Sequence, residues 1–150
     1  EIIPLDNDWQ KAAHVYSDEV LISHRTDAEK GTPKFERGKS LSDHQCEMIY
    51  ISGTAAIRGE ESIVTGDVLV QTEITLENIQ HLIGLEEGRE KLPEHSGKLE
   101  LLRVYLMHEE DAKIVKEDMD KHCPDVPIVY LYADVCGEEL LVEIEGIAYL

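Results

Sequence analysis

The residues with the clearest chemical potential close the chain. In "LLVEIEGIAYL", residues 140–150, Glu143 and Glu145 stand among Leu, Val and Ile. Period-two alternation puts both carboxyls on one face of a strand. When buried, such a carboxyl can hold a proton near neutrality and pass it to a substrate, and two close carboxylates oppose each other's ionisation. The competing reading is a solvated strand edge, because glutamate is rarely buried. Arg103 is a lone base inside the apolar run "LLRVYL". Paired across a sheet with Glu143 or Glu145, it would keep that carboxylate ionised and unfit as an acid. Arg58 and Glu61, in "IRGEES", read as solvated charges in a Gly-containing loop. The seven histidines show no metal-ligand spacing, and the phosphate-loop, dinucleotide and nucleophile-elbow patterns are all missing. No metal and no cofactor is therefore expected.

The elements that must position these residues follow from periodicity. "EVLISH", residues 19–24, fits a short strand, and the charged stretch 25–40, punctuated by Gly31, Pro33 and Gly38, fits a loop. "EMIYISG", residues 47–53, is a strand by its β-branched and apolar content. Residues 54–66 follow as a short extension and a loop. Residues 67–85 form the clearest helix, with Leu69, Thr72, Leu76, Ile79 and Ile83 on one stripe and Gly84 as a stop. A loop rich in Gly and charge leads to a strand at 99–108. A second helix at 109–123 carries Ala112, Val115, Met119 and Cys123 on a narrow stripe, with acids in its first turn and Pro124 and Pro127 beyond it. Two strands, 128–133 and 140–149, end the chain. The expected fold class is α+β: a mixed β-sheet with two α-helices packed on one face, in a single domain over 1–150. The other sheet face stays apolar and bare, and such a face seeks a partner subunit.

The bulk numbers narrow the partners. The formal net charge is -18, from 32 acids and 14 bases. That field repels phosphate backbones and anionic lipid, so neither nucleic acid nor membrane is an expected partner. No stretch reaches the length of a membrane-spanning helix. Cys46, Cys123 and Cys136 cannot all pair in one chain and match no zinc spacing, which fits reduced thiols and a cytoplasmic location. The chain starts at Glu1 rather than Met, and either a piece of a longer protein or a processed chain is expected.

Several segments resemble, in order, the YjgF/RidA (endoribonuclease L-PSP-like) superfamily: "GTPKFERG", "YISGTAAI", "TGDVLVQTEITLENIQHLI", "LLRVYLMHEED" and "VEIEGIA". Within it, "ISGTAAIRGEES" and "ADVCGEELLVEIEG" look most like the C-terminal domain of chorismatases. The resemblance implies a homotrimer with ligand clefts between subunits, and a small carboxylate, chorismate-like, that is bound or hydrolysed there. It implies that Glu143 is the acid. Arg37 matches the family's P-x-F-x-R-A and is the expected clamp for a carboxylate; the alternative is an exposed loop charge. Phe35 falls where many relatives have a pocket tyrosine, and Ser52 where the family has a small polar residue at the cleft. Arg103 and Tyr130 complete the expected substrate-binding set, Tyr130 replacing a family cysteine. The family's deaminases carry an arginine on the penultimate strand, near Ile128 here, yet no arginine lies between Pro124 and Leu150. An enamine/imine deaminase is disfavoured on that ground. A non-catalytic trimeric binding module is the third expectation. At Gly137, chorismatases typically have an arginine.

Overall fold

Residues Val142–Tyr149 alternate buried and part-exposed side chains, the pattern of a strand covered on one side only. In the computed structural model, which describes residues 37–42, 47–58, 61–63, 65–84, 98–135 and 137–149, this segment is the central strand of a five-stranded sheet. In chain order the elements are β1 (Gly38–Ser42), β2 (Glu47–Thr54), the two-residue strands β3 (Ile57–Arg58) and β4 (Glu61–Ser62), α1 (Val68–Ile83), β5 (Lys98–Leu106), α2 (Ala112–His122), β6 (Ile128–Tyr132) and β7 (Val142–Tyr149). The sheet runs β1-β2-β7-β5-β6. Its neighbours are antiparallel except β5 and β6, which are parallel. A parallel pair needs a crossover, and α2 is that crossover.

The first helix begins where Asp67 can cap it. The Asp67 carboxylate accepts from the amides of Leu69 at 2.9 Å and Val70 at 3.4 Å, which satisfies two orphan donors of the first turn. It ends at Gly84, whose φ of +76° lets its amide reach the Gln80 and His81 carbonyls. The second helix is shorter than the pattern suggested. The acids Glu109, Glu110 and Asp111 form a 3₁₀ turn ahead of it, and the α-helix starts at Ala112.

Both helices lie on one face, as expected for an α+β fold with a mixed sheet. Leu102, Val104 and Leu106 of β5 and Val142, Ile144 and Ala148 of β7 point into that layer and are fully buried. Ile79 and Leu76 of α1 and Val115 and Met119 of α2 close over them. Cys123 ends the α2 stripe as a buried free thiol. Among the described residues, no helix is long and apolar enough to cross a membrane.

Two expectations shift, and a third is not reached. Strand β1 begins in residues placed in a loop from sequence, 38–40, and continues to Ser42; it pairs with β2 from Gly38↔Ile51 to Ser42↔Glu47. Its helix-facing positions are Gly38 and Ser40, so it carries no apolar alternation to betray it. A small hairpin of β3 and β4 sits within the stretch read as extension and loop. The strand expected at 19–24 lies outside the described residues.

Candidate ligand site on the open sheet face

The face without helices carries a charged band across an apolar surface. Along β7, Glu143, Glu145, Ile147 and Tyr149 point to it. Across the β5–β7 ladder, Arg103 stands opposite Glu145 and Tyr105 opposite Glu143. One strand further, Val129 pairs with Arg103 and Leu131 with Tyr105. On the other side of β7, the register passes from Ile51↔Gly146 to Thr54↔Ile144. Three steps on β2 match two on β7, so Ser52 and Gly53 together face Glu145. This is a β-bulge, which re-aims side chains at a site. The Ser52 amide donates to the Arg37 carbonyl at 3.0 Å, which extends the β1–β2 ladder by one rung. Arg37, Ser52, Glu145 and Arg103 thus follow one another across the sheet, with Gly53 beside Ser52 in the bulge, and Glu143 and Tyr105 form the next row.

The two carboxyls differ. Arg103 Nε donates to Glu145 Oε1 at 2.8 Å, and the Tyr105 hydroxyl donates to the same oxygen. Glu145 is the anionic partner of two donors. The Tyr105 phenol is pushed above its ordinary pKa, first by that hydrogen bond, then by burial and by the charge of Glu145. Glu143 has neither donor. Among the described residues no hydrogen bond or ion pair reaches its carboxyl. It lies instead against Gly53, where an added Cβ would overlap the carboxyl. Only glycine leaves that space.

Of the six residues expected at a site, four, Arg37, Ser52, Arg103 and Glu143, lie in these two rows. Tyr130 does not join them. It pairs with Val104 on the β5–β6 ladder, and Val104 points into the helix layer, so Tyr130 lies on the face opposite Glu143. There the Lys116 ammonium sits 5.6 Å from the Tyr130 ring centroid. The hydroxyl is buried with no hydrogen-bond partner among the described residues, and burial, followed by the charges of Asp120 and Cys123, pushes its pKa up to about 12. Phe35 lies outside the described residues. Tyr105 and Gly53 were missed. Tyr105 was legible, being two residues from Arg103 on the same strand and hence on the same face. Gly53 was not, because its role depends on a bulge that no periodicity announces.

No family model matches the chain. It is 35% identical over 136 residues to a chorismatase of Streptomyces rapamycinicus, an alignment that covers 85% of this chain and 41% of the relative. The chain therefore spans about two fifths of the length of that curated relative. A chorismatase crystal structure superposes with a TM-score of 0.63 at 29% identity, covering 75% of this chain and 35% of the other. A Rid-family protein of unknown function, YyfA from Yersinia pestis, shares the fold at a TM-score of 0.60 and 18% identity, over 80% of this chain and 90% of its own.

The chain is a YjgF/RidA-like domain of the chorismatase branch.

Two positions of this YjgF/RidA-like domain, at which the resemblance implied an arginine, now have a structural setting. Ile128, near which the deaminase arginine was expected, is turned to the helix layer by its pairing with Leu102, which is fully buried. The open-face positions of β6 are Val129 and Leu131, both apolar and exposed, so β6 offers no cation to a carboxylate. Gly137, where an arginine was expected of a chorismatase, has φ +126°. An L side chain rarely adopts that backbone, so this turn suits glycine and not arginine.

Proposed function

We propose that this domain binds and hydrolyses a small, chorismate-like carboxylate on its open sheet face, in a cleft completed by a neighbouring subunit of a cytoplasmic homotrimer. The observation that carries the reading is the inequality of the two carboxyls: Glu145 is held by Arg103 and Tyr105, while Glu143 rests on Gly53 with no donor among the described residues. The Glu145 oxygen already serves two donors, so Glu143 is the carboxyl left to act on a substrate as a general acid.

In this reading Glu143 protonates the terminal carbon of an enol ether. Water adds to the resulting cation and loses a proton, and the hemiketal then breaks its C–O bond to release pyruvate and the ring alcohol. Arg103 uses one nitrogen on Glu145, and its terminal nitrogens remain for a substrate carboxylate. Arg37 and Ser52 border the same rung from β1 and β2. Support for a covering subunit comes from the apolar exposure of the face, with Tyr50 at 45%, Val129 at 47% and Tyr149 at 41%.

The test is incubation with chorismate followed by pyruvate detection. Glu143→Gln is expected to lower the rate by about 10²- to 10⁴-fold, as loss of a general acid does. Glu145→Gln leaves a measurable rate. Equal loss in both variants would remove the distinction between the carboxyls. A wild-type chain that binds chorismate without releasing pyruvate would leave a non-catalytic binding module as the function.

A further inference from the structure

The Glu143 carboxyl projects from one backbone segment, β7, and rests on another at Gly53, and one helix grips both. Gln71 and Asn78 are buried polar residues of α1, at 0% and 3% exposure. They are seven positions apart and so share a helix face. Gln71 Nε2 donates to the Glu139 carbonyl at 3.0 Å, and Gln71 Oε1 accepts from the Leu141 amide at 2.8 Å. The side-chain amide is thereby paired at both ends with the segment that enters β7, two residues before Glu143. Asn78 Nδ2 donates to the carbonyls of Ala55 and Ile57, each at 2.9 Å. It holds the segment that leaves β2, two residues after Gly53. One pin fixes the strand that bears the carboxyl, and the other fixes the strand that bears its seat.

We infer that Gln71 and Asn78 are positioning residues that set the Glu143 carboxyl against Gly53 by tying the β7 entry and the β2 exit to one rigid helix. The inference rests on the role given to Glu143 above. The physical reason is economy of geometry: a helix is stiffer than either loop, the Gln71 amide is paired at both polar ends and so has one orientation, and the Asn78 amide nitrogen donates to two carbonyls at once. Apolar packing alone would hold the helix on the sheet, but would leave both loop backbones without partners for these groups. The neighbouring threonines show the contrast. Thr72 and Thr75 are equally buried, yet their hydroxyls turn back to the Val68 and Gln71 carbonyls of their own helix.

The experiment compares Gln71→Met, Gln71→Glu, Asn78→Ala and, as a matched control, Thr75→Val. Two quantities are read. One is the steady-state kinetics of pyruvate release from chorismate. The other is the carboxyl-carbon NMR resonance of Glu143 in the chain labelled at glutamate, assigned by its disappearance in Glu143→Gln. Gln71→Met and Asn78→Ala are expected to lower kcat by about ten- to a hundredfold with KM held within about twofold, the signature of a misplaced reacting group. The Glu143 resonance moves in both. Gln71→Glu keeps the acceptor for the Leu141 amide, so it recovers part of kcat and part of the resonance shift relative to Gln71→Met. Thr75→Val leaves both readouts near wild type.

A Glu143 resonance unmoved in both Gln71→Met and Asn78→Ala, or moved as far by Thr75→Val, overturns the inference. If Gln71→Met does not fold, Asn78→Ala and Gln71→Glu decide it by the same criteria. Absence of pyruvate release from the wild-type chain would overturn the proposed function, and the resonance would still decide whether the two amides position the carboxyl.

Discussion

The two faces of the sheet are built from the same five strands and obey opposite rules. Toward the helices, β5 and β7 present Leu102, Val104, Leu106, Val142, Ile144 and Ala148, all fully buried. Toward the open side, the same strands present Arg103, Tyr105, Glu143 and Glu145, ringed by exposed Tyr50, Val129, Leu131 and Tyr149. One face is a finished core. The other combines too much apolar surface for water with too much charge for a core. Stability resides on the first and the proposed site on the second, and period-two alternation lets one strand serve both.

Substitutions should separate the faces, beginning with the core. Leu106→Ala is expected to cost about 2–5 kcal/mol in denaturant unfolding, the range for a buried leucine. Leu131→Ala, on the same sheet but 37% exposed, is expected to cost under about 1 kcal/mol in dilute protein while weakening self-association in sedimentation. Equal losses at the two positions would mean that the open face is also core.

Next in size is Gly53→Ala. Its methyl must push the Glu143 carboxyl aside. Pyruvate release is expected to fall about tenfold or more, equivalent to about 1.4 kcal/mol in the barrier, with the chain still folded by circular dichroism. A variant with wild-type turnover would show that the carboxyl does not work from this seat.

Smaller still is the ion pair. Arg103→Met removes a bridge whose arginine side chain is 49% exposed, and it is expected to change stability by no more than about 1 kcal/mol. Its larger effect should fall on KM for a carboxylate substrate.

The smallest effect appears in alkali and sharpens the comparison best. Tyr105 and Tyr130 are both pushed above the ordinary phenol range, Tyr105 first by its bond to Glu145 on the open face and Tyr130 first by burial on the helix face. A raised phenol pKa means that the folded state holds the proton more tightly than the unfolded chain. The stability this contributes is full below pH 10 and is lost as pH rises through the folded value, about 12 for Tyr130. Glu145→Gln should bring Tyr105 down and leave Tyr130 in place, as read by tyrosinate absorbance.

Much of this was legible because it repeats at short range. The α1 stripe, the α2 stripe and the alternation in "LLVEIEGIAYL" each name their own element and buried face. The Arg103–Glu145 pairing follows from two such strands lying side by side, although the sequence left open which carboxylate would take the arginine. What escaped depends on register between distant segments. Strand β1 has Gly38 and Ser40 where a core strand would show apolar residues. Gln71 and Asn78 look like ordinary polar helix residues until the loops they hold, at Glu139–Leu141 and Ala55–Ile57, are known. Tyr130 was misplaced because its expected role came from an alignment, whereas its face is set by the phase of β6 against β5.

The bulge on β2 makes the fold and the site separable by a single residue. Deleting Gly53 would leave Ile51 opposite Gly146 and Thr54 opposite Ile144, with Ser52 alone opposite Glu145, and every side chain would keep its face. The shorter chain has a regular ladder and an intact core. It loses only the gap in which the Glu143 carboxyl rests. A lineage could therefore discard or regain this seat by one codon without disturbing the register of the sheet.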